Sequence, residues 1–288
     1  MPFTTAPSSR KATGGQLGWV GAKPIGYPTI DWTHPYMQSV DTDYSTIWWI
    51  PGGNQSLASK ELITNTTPST DLGTDTTFDG EPCRYYNNPE NTNPFTAYSS
   101  LTAHTVAPPS NGDFTMIAMI GIPSLNVGTD VYSHFFCDGN MWDAATNFAF
   151  CGRFRETPTG PAGLYCYVNN NALSAPHEIL IGTEQSPLIS FSRMYIVGMV
   201  ADNSGGHLVR LTRPSPDSLN ITTNDNSLSA TWPGGAGETV IYGGCSATTN
   251  STGRGWMGYI GFVYFLGGFV ASSSQLDHLV ANPYQIFT

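Results

Sequence analysis

Charge is what this sequence has least of. Only 11% of its 288 residues are charged, and 11 Lys and Arg stand against 21 Asp and Glu. A net charge of −10 with so few cations excludes a surface that tracks a phosphate backbone, because that needs clustered Lys and Arg. Nucleic acid is therefore not an expected partner. A helical membrane span is not expected either. The most apolar run, Trp256 to Ala271 (WMGYIGFVYFLGGFVA), is 16 residues long, where about 20 are needed. Metal and nucleophile motifs are also missing. There is no C-x-x-C, H-x-H, H-E-x-x-H or G-x-S-x-G, and no Gly-rich phosphate loop. The five cysteines (Cys83, Cys137, Cys151, Cys166, Cys245) are odd in number. They read as small buried thiols of a reducing compartment, with a disulfide pair and one thiol left over as the alternative. The opening MPFTTAPSSRKATGG has no apolar region of signal-peptide length, so no secretory leader is expected.

What is present is the material of turns and strands. Gly (31) and Pro (21) are abundant, Thr, Ser and Asn are frequent, and 40% hydrophobic content suffices for a full core. Strand candidates are 45–50 (STIWWI), 114–122 (FTMIAMIGI), 131–137, 148–154, 164–168, 193–201, 207–212 and 239–242. The segments 193–201 and 207–212 flank Asp202-Asn203-Ser204-Gly205-Gly206, a hairpin signal. Phe78-Asp79-Gly80 is a turn signal, while 54–77 and 82–98 read as loop. The run 256–271 carries four glycines and six consecutive aromatic or β-branched positions apart from Gly261. That composition predicts a strand buried on both faces and broken at Gly267-Gly268, not a helix. One helical turn or two is predicted after it. Ser272 and Gln275 form a capping-box pattern, Leu276, Leu279 and Val280 share a face, and Pro283 stops it.

Many short strands with almost no helix predict an all-β, antiparallel two-sheet β-sandwich. Residues 1–40 read as an extended N-terminal arm and 41–288 as the sandwich domain. The arm holds Arg10, Lys11 and Lys23 with no acid before Asp31, so it is locally basic on an acidic chain. As a particle-docking arm it would use Arg10, Lys11 and Lys23, with Trp19 and Tyr27 as anchors.

Motifs at both ends carry a resemblance. Ile30-Asp31-Trp32-Thr33-His34-Pro35 opens the domain, and Ile47-Trp48-Trp49 and Phe78-Asp79-Gly80 follow. Then come the 114–120 strand, the 193–212 hairpin and Gly255-Trp256-Met257-Gly258-Tyr259-Ile260. Asn282-Pro283-Tyr284-Gln285-Ile286-Phe287 closes the chain. This order resembles the concanavalin A-like (laminin G-like) jelly-roll domains of tailed-phage virion proteins over residues 30–288, departing from the pattern at 214–237. The resemblance implies a jelly roll, a place on a virion, and folding in the bacterial host cytoplasm. It also implies a non-enzymatic structural role as a decoration, head-fibre or tail-associated protein. The implied partners are major capsid or tail proteins, and a symmetric homo-oligomer is expected. A lectin-like module for host-surface or mucosal polysaccharide is the alternative, and a glycoside hydrolase a third reading.

Hydrolysis of a glycoside needs two carboxylates flanking the scissile bond. No strand here carries acids at such spacing, so no catalytic residue is expected. The resemblance brings Ca2+ into consideration. Candidate ligands are Asp138, Asn140 and Asp143 in CDGNMWD and, in DLGTDTTFDG, Asp71, Asp75 and Asp79. Neither stretch fits an EF-hand loop, so turn residues are the plainer reading and no cofactor is expected. Sugar binding needs an exposed aromatic platform, for which Trp142, Trp232, Tyr85 and Tyr86 are the candidates.

Overall fold

The structure is a computed structural model. It describes residues 23–24, 26–51, 57–88, 99–101, 113–121, 131–138, 149–157, 160–169, 177–183, 193–202, 207–212, 221–225, 240–242 and 256–288. Among these residues sixteen strands appear, in chain order beginning with β1 (Thr46–Trp49), β2 (Lys60–Glu61), β3 (Thr70–Asp71), β4 (Thr74–Phe78) and β5 (Glu81–Asn87). Next come β6 (Ser99–Leu101), β7 (Phe114–Gly121), β8 (Val131–Asp138), β9 (Ala149–Thr157), β10 (Gly160–Asn169) and β11 (His177–Thr183). The last are β12 (Met194–Ala201), β13 (His207–Thr212), β14 (Ile221–Asp225), β15 (Val240–Tyr242) and β16 (Met257–Gly267). One α-helix follows, α1 (Ser273–Ala281).

The strands form two antiparallel sheets, as expected. The first runs β14-β13-β12-β7-β16-β1-β2, with the β4–β5 hairpin attached through β5 to β16. The second runs β11-β10-β9-β8-β15-β6-β3. Aromatic contacts join them: Phe136 of β8 stacks on Phe265 of β16 with centroids 6.0 Å apart, and Phe135 meets Trp256 edge-on at 5.4 Å. In the second sheet the register sets Cys137 directly opposite Cys151. Cys83 of the first sheet is a free, buried thiol.

β16 is the central strand, and it is apolar throughout because both its faces are covered. Phe265 faces the second sheet. Phe262, Tyr264 and Leu266 join a second core on the outer face, made with Leu276, Leu279 and Val280 of α1 and with Ile30, Met37, Tyr284 and Ile286. The strand ends at Gly267, and Gly268 takes φ +76, a left-handed conformation that costs Gly little. α1 then starts with the predicted capping box: Gln275 N donates to Ser272 Oγ, and Ser272 N donates to Gln275 Oε1 at 2.8 Å.

Residues 26–40, read from sequence as part of an arm, lie instead on the sandwich as part of its third layer. Ile30 pairs with Phe287, Asp31 N donates to Ile286 O at 2.8 Å, and Thr288 N donates to Thr29 O at 2.9 Å. The opening and closing motifs of the chain are therefore partners in space. Both pack over Trp49, whose ring meets those of Tyr284 and Phe287 edge-on. The polar stretch read as loop also holds a hairpin. β4 and β5 are joined by Asp79 (φ 50) and Gly80 (φ 81), the two left-handed residues of a type I′ turn.

Candidate ligand face

The site is built where β16 changes partner. Its first part, Met257 to Ile260, pairs with β5, and its second, Phe262 to Phe265, pairs with β1. Between them Gly261 sits at a register shift against β7, so its carbonyl is left for another donor. Lys23 supplies it. Its Nζ donates to Gly261 O at 2.7 Å and to Pro82 O at 3.0 Å, and lies 4.9 Å above the Trp49 ring. Burial pushes the Lys23 ammonium down to about 7, partly opposed by Cys83, Glu81 and Asp75. Burial likewise pushes the Cys83 thiol up to about 12, so it is not poised as a nucleophile.

Two further charged groups are built into this edge. Glu61 is fully buried. Its carboxylate accepts from Ile47 N (2.8 Å), Ile63 N (3.0 Å), Thr64 N (2.6 Å) and Thr64 Oγ1 (2.6 Å), which fixes the turn after β2. Arg84, also buried, reaches Asp71 of the second sheet, Asp75 (2.7 Å) and Ser59 (3.2 Å). Asp79 holds the hairpin tip against β12, accepting from Met194 N (3.1 Å) and Arg193 Nη1 (3.1 Å). The three aspartates weighed as calcium ligands are thus engaged by guanidinium groups and a backbone N–H. Among the described residues no group of three His, Cys, Asp or Glu is placed to hold a metal.

Beyond Lys23, the outer face of the first sheet carries a row of rings. Phe78 stacks on Tyr259 with centroids 4.0 Å apart and planes 7° from parallel, and Tyr85 tilts against Tyr259 at 4.9 Å. Tyr85 and Tyr259 are directly opposite each other in the β5–β16 register, and Thr74 of β4 is opposite Tyr85. All three rings are half-buried, and Thr74 and Asn87 beside them are exposed. Neither phenol hydroxyl has a hydrogen-bond partner among the described residues. Burial raises the Tyr259 hydroxyl above its ordinary range, with Tyr85 adding to the effect.

The structure sorts the sequence candidates. Tyr85 lies on this open face. Tyr86, the next residue, points to the opposite face and is fully buried, 6.2 Å from Trp48, so its ring is core and not a platform. Lys23 is internal and cannot meet a docking partner as a surface cation. Tyr27 is exposed, donates its hydroxyl to Ala58 O, and carries Lys60 Nζ 5.0 Å above its ring. Asp138 ends β8, opposite Phe150 and Val240. Trp142, Trp232, Asn140, Asp143, Arg10, Lys11 and Trp19 lie outside the described residues. Phe78 and Tyr259 were missed from sequence because Phe78 reads as part of a turn and Tyr259 as an ordinary strand residue. Only the cross-strand register brings them to Tyr85.

This architecture is an all-β, antiparallel sandwich, and solved structures share it. The chain is similar to the full-length tailspike protein 2 of an Escherichia coli O157:H7 bacteriophage (12% identity, TM-score 0.54), covering 94% of this chain and 33% of that one. It is also similar to the enzymatically active domain of bacteriophage CBA120 tailspike protein 2 (11% identity, TM-score 0.52), covering 94% and 37%. A carbohydrate-binding module of a Ruminococcus gnavus sialidase, bound to sialyllactose, aligns with TM-score 0.40 at 11% identity, over 61% of this chain and 84% of that one. The chain spans about a third of the length of the tailspike it matches. At these identities the likeness establishes the fold. No protein-family pattern and no curated protein matches the sequence.

Proposed function

We propose that this chain is a non-enzymatic, tail-associated component of a phage virion. The observation that carries the reading is the likeness to a phage tailspike over 94% of the chain. The layered N-terminal segment supports it. Residues 26–40 are fixed on the outer face, and Tyr27 and Trp32 there stay exposed, 38% and 43%. That segment and the residues before it are the proposed contact to tail or capsid proteins, in a homo-oligomer. Engagement of the carboxylates at this edge supports a non-enzymatic role: Asp71, Asp75, Asp79 and Glu61 are each held by donors of the chain itself. The test is sedimentation of the purified chain with particles that lack it. Co-sedimentation is expected, reduced by Trp32→Ala. No binding to such particles overturns the docking reading, and release of reducing sugar from polysaccharide overturns the non-enzymatic one.

Adhesion to a glycan is the second reading, favoured by the tyrosine row, which among the described residues lies beyond the cover of α1 and the terminal segments. A glycan array probed with the full chain tests it.

A further inference from the structure

We propose that the open side of Tyr85, with the Tyr259 hydroxyl, Asn87 and Thr74 around it, is a subsite for a neutral pyranose unit of a polysaccharide. The inference rests on the glycan-binding reading and assigns it a place. Three features of the outer face point there. α1 covers the sheet over β12 and β13, and the terminal segments cover it over β1 and the second half of β16. The end formed by Tyr259, Tyr85 and Asn87 has no such cover among the described residues.

The chemistry left there matches a sugar. A pyranose offers an apolar C–H face edged by hydroxyls, and a tyrosine offers an aromatic face ending in a hydroxyl. Phe78 and Tyr85 occupy the two sides of the Tyr259 ring, so Tyr259 is rigidly held and offers its hydroxyl. Tyr85 is the end of the row. One of its faces meets Tyr259, and the other has no ring partner among the described residues. Thr74 is opposite it, and Asn87, two residues on, shares its face. Both are exposed and able to donate and accept. A tyrosine pair held by stacking loses little conformational freedom on binding.

Charge selects the class of sugar. The nearby ionic groups are already paired, Asp79 with Arg193 and Asp75 with Arg84. No free cation faces the row among the described residues, and the chain carries a net charge of −10. An acidic sugar would be repelled and would find no counter-ion, so the ligand is neutral.

The experiment is a glycan array followed by titration of the best binder with the full chain and three variants. The parent is expected to bind neutral glycans. Tyr85→Ala should weaken binding about tenfold, and Tyr85→Phe should retain most of it. Val270→Ala, an exposed residue beyond the other end of β16, should leave it unchanged. Thermal melts of each variant verify folding. A parent that binds glycans while Tyr85→Ala binds equally well overturns the subsite and leaves the adhesion reading standing. Binding confined to acidic glycans overturns the neutral assignment. A parent that binds no glycan overturns both.

Discussion

Lys23 shows how far a single residue's role depends on its surroundings. In the sequence it is one of three cations in a Gly- and Pro-rich stretch, which reads as a solvated arm. In the fold its ammonium fills the notch where β16 passes from β5 to β1, held by two carbonyls and an aromatic face. Its titration gives a signed prediction. Burial pushes the folded group down to about 7, against 10.5 for a free lysine. Between those values the unfolded chain holds more protons, so stability must rise with pH. Cys83 departs from its ordinary value of 9.0 and the shifted tyrosines from 10.0, both upward, so they act only above that range. The window from pH 7 to 9 therefore belongs to Lys23 among the shifted groups. Denaturant unfolding should show a gain of roughly 2 kcal/mol across it. Lys23→Met, which keeps the apolar stem, should flatten the rise. A slope that survives in Lys23→Met would mean the ammonium is not the group responsible.

At the scale of the element, α1 and the β4–β5 hairpin differ in how openly the sequence announces them. The capping box, the apolar face of α1 and the stop at Pro283 are all local signals, and all appear in the structure as expected. Where α1 lands is not local. It rests over Gly198 of β12, where an added Cβ would come within 2.5 Å of Val280 Cγ1 and 2.8 Å of Leu276 Cδ1. Gly198→Val should lift the helix and destabilise the fold by about 2 kcal/mol, read from the urea midpoint. An unchanged midpoint would place α1 elsewhere. The hairpin was visible only at its Asp-Gly turn. Its strands hold Pro82, Arg84, Asp75, three threonines and two tyrosines, and they lack the apolar alternation that marks a strand. They form because Pro82 lies outside the stretch of β5 that pairs with β16, where its missing N–H breaks no bond to that strand, and because Arg84 finds carboxylates.

Across the whole molecule, three layers are tied together at one edge. Arg84 belongs to the first sheet and Asp71 to the second, so their ion pair bridges the sandwich. Replacing Arg84 by Leu leaves two partly buried carboxylates facing each other without a cation, and should cost about 3 kcal/mol. The loss is read from the urea midpoint, and Arg84→Lys, which keeps a positive charge, should recover part of it. An unchanged midpoint in Arg84→Leu would show that the ion pair does not hold the sheets together. The third layer, formed by residues 26–40 with the C-terminal motif, makes the outer face a second core. Among the described residues, the tyrosine end lies beyond that cover.

The sequence by itself determined the class of fold: scarce charge, frequent Gly and Pro, the doubly apolar β16, the break at Gly267-Gly268 and the capped helix. These are properties of composition and period, and they survive without knowledge of partners. It could not determine which strand lies beside which. Tyr85 and Tyr86 look alike as neighbours in a chain, yet successive residues of a strand face opposite ways, so one is open and the other sealed. Phe78 and Tyr259 are 181 residues apart in number but stack at 4.0 Å. The burial of Lys23, Glu61 and Arg84 was hidden for the same reason. A charge can be buried only when its counterparts arrive from distant segments, and register, not composition, brings them there.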